Sequence, residues 1–214
     1  MTVSKNRLGI FGGTFNPIHL GHIQTVNQAA NLLSLGSVAL LPANIPPHKK
    51  QPTIDLSHRL AMLEAVCKQH SRFYIEDFEL KQASTSFTVK TLTALKAQKP
   101  TQDLFFFIGM DSLVNFHLWF EYQEILNLCN LVVSTRPGYD VNQVQEEVKA
   151  STISFNAFEQ LAEPQPSGQI ILMPDLPIDM ASSRIRQMIQ RNESVEHLLP
   201  PDVHQYIKTH NLYQ

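Results

Sequence analysis

The chain has 214 residues, 43% of them hydrophobic, enough for one well-packed domain with a sizeable core and cramped for two. With 17 Lys and Arg against 19 Asp and Glu, a net charge of -2 and the charges interspersed, it offers no basic stripe for a nucleic-acid backbone and no acidic tail. The apolar run Leu8 to Phe11 is far too short for a signal peptide, no run approaches a membrane span, and Cys67 and Cys129 lie far apart without metal-ligand spacing, which together point to a reduced, cytoplasmic setting with both thiols in or near the core.

In chain order, Leu8 to Phe11, Val38 to Leu41, Leu104 to Ile108, Leu131 to Val133 and Ile170 to Met173 are short apolar runs ending in Gly, Pro, Ser or Thr, and they read as buried strands. Between them Ile23, Val26, Ala30 and Leu33, then Leu56, Leu60, Leu63 and Cys67, step by three and four residues as helix faces do. Gly36 is expected to close the first helix, and Pro42 to Pro52, with Pro46 and Pro47 adjacent, to be an extended loop. Gln143 to Glu163 reads as helical with an irregular middle at Ser151 to Ser154, ending in the loop Pro164 to Gly168. Strands alternating with helices predict a doubly wound, mainly parallel α/β sheet with helices on both faces, in a single domain over residues 1–214. Ligands in such sheets gather beyond the carboxyl ends of the strands, so the residues just after each run are the candidates.

The first run leads into Gly12-Gly13-Thr14-Phe15-Asn16-Pro17-Ile18-His19-Leu20-Gly21-His22, a strand, a glycine turn and a helix start. Glycines at 12 and 13 permit backbone angles closed to other residues and let main-chain N–H groups approach an anion, to which the helix adds its positive end. His19 and His22, three residues apart, project to one face and can both meet a triphosphate. No third ligand accompanies them, and a catalytic zinc normally takes three, so no metal site is expected. A second anion site is read at Asp179-Met180-Ala181-Ser182-Ser183-Arg184-Ile185-Arg186, where Ser182 or Ser183 is a candidate N-cap and Arg186 a bidentate phosphate donor one turn in. Gly109 and Asp111 follow a buried strand, and Asp111 suits either nucleotide ribose or base groups or a helix N-cap. Trp119, the only tryptophan, suits either core packing or stacking on a pyridine ring.

Gly13 to His22 resembles the GxFDxxHxGH signature of the nucleotidyltransferase superfamily at nearly every position, with Asn16 where the family usually has Asp. Asn keeps the size and one acceptor but loses the charge, so Asn16 is given a positioning role. Asp179 to Arg186 resembles the ISSTxIR motif, whose hydroxyl and last arginine hold the ATP phosphates and correspond to Ser183 and Arg186. Ala181 and Ser183 depart from the usual Ser and Thr. Pro42 to Lys49, Ile108 to Leu113, Thr135 to Tyr139 and Trp119 narrow the likeness to the nicotinate-nucleotide adenylyltransferases, running to Asn211-Leu212-Tyr213 and weakest between Asp140 and Pro166.

That resemblance implies a Rossmann-like nucleotidyltransferase fold and transfer of the adenylyl group of ATP to nicotinate mononucleotide. The products are nicotinate adenine dinucleotide and pyrophosphate, in NAD biosynthesis, with Mg2+ arriving on ATP. It places Gly12, Gly13, Thr14, Phe15, His19, His22, Gly109, Asp111, Ser183 and Arg186 around ATP, with His19, His22 and Arg186 catalytic. It places Asn16, Lys49, Thr88, Trp119 and Arg136 around the acceptor, with Trp119 against the nicotinate ring. The rivals are a related enzyme taking nicotinamide mononucleotide or phosphopantetheine, and a nucleotide-binding regulator without the reaction. A nucleic-acid role, suggested by the two-histidine string, lacks room in a chain this short.

Overall fold

Along β1 (Ser4–Gly13) Leu8 and Ile10 turn to one face and Phe11 to the other, the period of two that lets a strand serve two cores. The computed structural model describes residues 4–43, 54–81, 87–135, 138–174 and 180–214. Within them β1 leads through α1 (Leu20–Leu32) to β2 (Leu35–Pro42), and α2 (Leu56–Gln69) leads to β3 (Phe73–Ile75). After α3 (Thr88–Gln98) come β4 (Asp103–Gly109), α4 (Met110–Val114), α5 (Tyr122–Leu128) and β5 (Asn130–Ser134). The remainder holds α6 (Glu146–Lys149), β6 (Thr152–Ser154), α7 (Phe155–Glu159), β7 (Ile170–Leu172), α8 (Ser182–Gln190) and α9 (Pro201–Thr209).

The seven strands form one sheet in the order β3-β2-β1-β4-β5-β7-β6, and every pair in it is parallel. This is the doubly wound α/β arrangement that the sequence predicts. Winding proceeds from β1 outward to β3, then returns to β4 on the other side of β1. The crevice beyond the ends of β1 and β4 is therefore the topological switch point where open sheets bind ligands. Phe11 lies opposite Phe107 and Gly13 opposite Pro42, so Gly12 and Gly13, which end β1 as strand residues rather than forming the expected glycine turn, emerge with the end of β2 and Gly109 along one edge.

Alternation along the strands makes two cores. Val38, Leu40, Phe105, Phe107 and Val132 face α1, α2, α8 and α9, which contribute Val26, Met62, Ile185 and Val203. Leu8, Ile10, Leu104, Phe106 and Leu131 face α3, α4 and α5, which contribute Leu92, Leu113 and Ile125. Each such side chain removed from water favours the fold by roughly 1.5–3 kcal/mol. Cys129 is buried and Cys67 half-buried, both as free thiols, as expected.

Several local expectations are corrected. Gly36 does not close α1, because it lies inside β2; the helix stops at Leu32, and Ser34 takes the left-handed conformation (φ 54) that delivers the fully buried Leu35 to the sheet. The irregular middle at Ser151 to Ser154 contains the edge strand β6, paired with β7 from Thr152 to Ser154. β3, whose three residues are flanked by Arg72 and Glu76, likewise has no counterpart among the expected strands. In α2 the buried face is Arg59, Met62, Leu63 and Val66 rather than the stripe of Leu56, Leu60, Leu63 and Cys67, because the Arg59 guanidinium turns inward to two carbonyls.

Candidate active site

The turn after β1 is built by space rather than by glycine backbone angles. Among the described residues the glycines with positive φ are Gly138 and Gly168, and the left-handed residue in this turn is Phe15 at φ 49. The expectation for Gly12 and Gly13 is corrected accordingly. A Cβ on Gly13 would stand 3.0 Å from the Phe15 ring, so Gly13 is small because the buried Phe15 ring folds back over it. Phe11 meets that ring edge-on at 5.5 Å and helps hold it there.

His19 is the N-cap of α1, extended in backbone, and its Nδ1 accepts the His22 N–H at 3.3 Å. A neutral His19 accepting through Nδ1 carries its proton on Nε2, which makes that nitrogen the ring's donor. The two imidazoles stack with centroids 3.6 Å apart and planes 17° apart, sharing a face as their spacing predicts. Phe11 and Phe15 each stand 5.6 Å from the His22 ring.

Hydrogen bonds from remote segments converge on this turn. Arg186 Nη1 in α8 donates to the Asn16 carbonyl at 2.8 Å, and Ser182 Oγ donates to the Pro17 carbonyl at 2.9 Å. The Gly21 N–H reaches the Met180 sulfur at 3.4 Å. From α2, Arg59 Nη1 donates to the carbonyls of Thr14 (2.8 Å) and Ala43 (2.9 Å), tying the end of β1 to the end of β2. Burial pulls the Arg59 pKa down, and the nearby Tyr213 opposes that pull. Tyr213 itself donates its hydroxyl proton to Asn16 Oδ1 at 2.8 Å. Burial pushes the Tyr213 pKa up, outweighing the attraction of the Arg186 and Arg59 charges for a phenolate.

Neither serine caps α8, contrary to expectation. Ala181 holds the N-cap position, the Ser182 hydroxyl is engaged on Pro17, and Ser183 stands exposed in the first turn. α8 therefore starts without a side-chain cap, beside the glycine turn, with Arg186 half-buried between the two. In α4 the N-cap is Gly109, so Asp111 sits in the first turn and not at the cap.

Trp119 is half-buried, with its indole 5.5 Å from the Phe116 ring and 6.4 Å from the Phe106 ring. Phe106 is also the nearest neighbour of a Cβ built on Gly12, at 3.7 Å, so one ring of β4 separates Trp119 from the glycine turn. Thr88 opens α3, and the contact of Phe87 with Phe120 at 5.0 Å brings that helix start beside Trp119. Lys49 and Arg136 lie outside the described residues, as do His48 and Asp179. Among the described residues no group of three His, Cys, Asp or Glu could hold a metal ion, and no helix is long and apolar enough to cross a membrane.

Arg59 and Tyr213 belong to this site without having been expected there, and Ser182, expected as a cap, bonds Pro17 instead. Arg59 had a readable signal, a charge three, four and seven residues before the buried Met62, Leu63 and Val66. The Tyr213 and Ser182 contacts had none, because their partners lie 197 and 165 residues away in sequence.

The geometry joins a stacked histidine pair and the Arg186 guanidinium beside the starts of α1 and α8, an arrangement suited to a polyphosphate. The cytidylyltransferase-like family model matches residues 10–188, spanning Gly12 to His22 and Ser182 to Arg186. A probable nicotinate-nucleotide adenylyltransferase of Pseudoalteromonas atlantica is 41% identical over 208 residues, covering 97% of this chain and 94% of that protein. Another of the same name, from Shewanella frigidimarina, is 36% identical over 210 residues, covering 97% of this chain and all (100%) of that one. A solved Plasmodium falciparum nicotinic acid mononucleotide adenylyltransferase, complexed with NaAD, shares the fold at TM-score 0.74 and 17% identity over 98% of each chain. With the family model spanning most of the chain and relatives 41% and 36% identical over 97% of it, the chain belongs to the cytidylyltransferase-like family and, within it, to the nicotinate-nucleotide adenylyltransferases.

Proposed function

We propose that residues 1–214 act as one nucleotidyltransferase domain that transfers the adenylyl group of ATP to nicotinate mononucleotide. An oxygen of the acceptor's phosphate attacks the α-phosphorus of ATP, the bond from that phosphorus to the oxygen bridging the β-phosphate breaks, and pyrophosphate leaves with that oxygen. Nicotinate adenine dinucleotide is the other product. Mg2+ enters as part of the ATP substrate, held by phosphates and water.

Such chemistry needs alignment and charge neutralisation more than acid or base groups, and alignment alone is worth on the order of 7–11 kcal/mol. In this reading His19, His22 and the N–H groups after Gly13 stabilise charge on the transferring phosphate, while Ser183 and Arg186 hold the departing pyrophosphate. Gly12, Thr14, Phe15, Gly109 and Asp111 line the nucleotide side. Trp119, Thr88 and Asn16, with Lys49 and Arg136, serve the acceptor. The observation that carries the proposal is the bond from Arg186 to the Asn16 carbonyl, which puts the helix start and the glycine turn in one place.

The test is pyrophosphate release with Mg-ATP and, in turn, nicotinate mononucleotide, nicotinamide mononucleotide and phosphopantetheine. The proposal expects the nicotinate compound to be preferred by kcat/KM. Preference for another acceptor reassigns the substrate, and no release with any of them favours a regulator that binds nucleotide without turnover.

A further inference from the structure

Asn16 is gripped from two sides, its carbonyl by Arg186 and its side-chain oxygen by Tyr213, each at 2.8 Å. Asn16 is 5% exposed and Tyr213 8%, so this is an interior bond between a turn at one end of the sequence and a residue at the other. The chain is shaped to make it. After α9 the backbone enters the left-handed region at Asn211 (φ 50) and again at Tyr213 (φ 66). Bulky residues rarely adopt that conformation, and here it swings the tyrosine ring inward while the Leu212 N–H stays bonded to the Ile207 carbonyl at 3.0 Å. Asn16 in turn lies three residues before His19, in the same short turn whose other carbonyls are held by Arg59 and Ser182.

We propose that Tyr213 is a positioning residue for the transfer reaction: its hydroxyl fixes the Asn16 side chain, and through Asn16 it keeps the histidine turn in register with Arg186. The inference rests on the function proposed above and adds a residue that touches neither substrate. Losing the hydroxyl leaves the ring, the apolar packing and the fold in place but removes the tyrosine's grip on Asn16. The turn can then drift by a fraction of an ångström relative to Arg186, which slows the aligned step and leaves ground-state binding of the substrates nearly as before.

Steady-state pyrophosphate release by wild type, Tyr213→Phe, Asn16→Ala and the double variant tests this, with Leu212→Ala as a packing control. Tyr213→Phe is expected to lower kcat about tenfold with both KM values within about twofold. In the Asn16→Ala background the same change is expected to do nothing further, because the hydroxyl acts only through that side chain. Leu212→Ala is expected to lower Tm and keep kcat. Tyr213→Phe turning over at the wild-type rate, failing to fold, or adding its full factor on top of Asn16→Ala overturns the assignment. An inactive wild type fails the proposed function itself, and with it this inference, whereas an active wild type matched by Tyr213→Phe fails this inference alone.

Discussion

The His22 ring is confined by His19, Phe11 and Phe15, and it is only partly covered, so its removal changes the local charge and donor pattern more than the core. His22→Ala is therefore expected to lower kcat by about two to three orders of magnitude, ~3–4 kcal/mol of transition-state stabilisation. The same change should cost less than about 1 kcal/mol of folding stability. Turnover and urea unfolding measured side by side check this, and a variant keeping its turnover would remove His22 from the mechanism. Gly13→Ala makes the complementary point about space. Its methyl would lie 3.0 Å from the Phe15 ring, so that ring must move and the turn with it. A fall in kcat together with a lowered Tm is expected, overpacking of this kind costing about 1–3 kcal/mol, and unchanged kcat would show that the turn tolerates the shift. The histidine pair, Arg186 and the glycines were legible in the sequence because motif and spacing both mark them. The angle attributed to Gly13 was not, because the left-handed residue is a phenylalanine held by its own packing.

At the scale of elements, α8 matters because it delivers Arg186 and Ser182 to the turn while Ile185, fully buried, anchors it to the sheet. Ile185→Ala opens a cavity under the helix and is expected to cost about 2–4 kcal/mol. It should also raise KM for ATP, since the phosphate-holding end of the helix loosens with its anchor. Urea unfolding and ATP-dependent kinetics test the pair of effects, and a destabilised variant with unaltered ATP kinetics would uncouple α8 from the nucleotide. The four longer strands and the three-residue β7 could be read from apolar runs, and α1 from its stripe, because burial on one or two faces leaves a clear period. β3 and β6 lack such a run, since Phe73 to Ile75 is flanked by Arg72 and Glu76 and β6 is Thr152-Ile153-Ser154, whereas β7 begins the four-residue apolar run Ile170 to Met173. The α2 stripe was misplaced because its inward face includes Arg59, whose charge is compensated by carbonyls of two other segments, a fact no local window contains.

Over the whole molecule, burial of neutral acids sets the alkaline limit of stability. Burial, then Glu64, raises the Cys67 pKa from 9.0 to about 11, and Cys129 and Tyr213 are held higher still by burial. All three are protonated and neutral in the folded protein and ionise earlier when unfolded. Their contribution is thus complete below the unfolded values, near 9 for the thiols and 10 for the tyrosine, and is lost as pH rises through the folded ones. The urea midpoint should accordingly be lower at about pH 10 than at about pH 8, and equal midpoints would contradict the burial of these groups. The doubly wound sheet also explains why residues from both ends of the sequence can share a site. Its switch point lies beside β1, and α8 and the last residues pack against the same core as α1 and α2. That convergence can be checked by titrating a non-hydrolysable ATP analogue with Mg2+ while following backbone amide resonances. Gly12 to His22 and Ser182 to Arg186 are expected to shift together, with one shared Kd. Movement of only one segment, or two different Kd values, would contradict it.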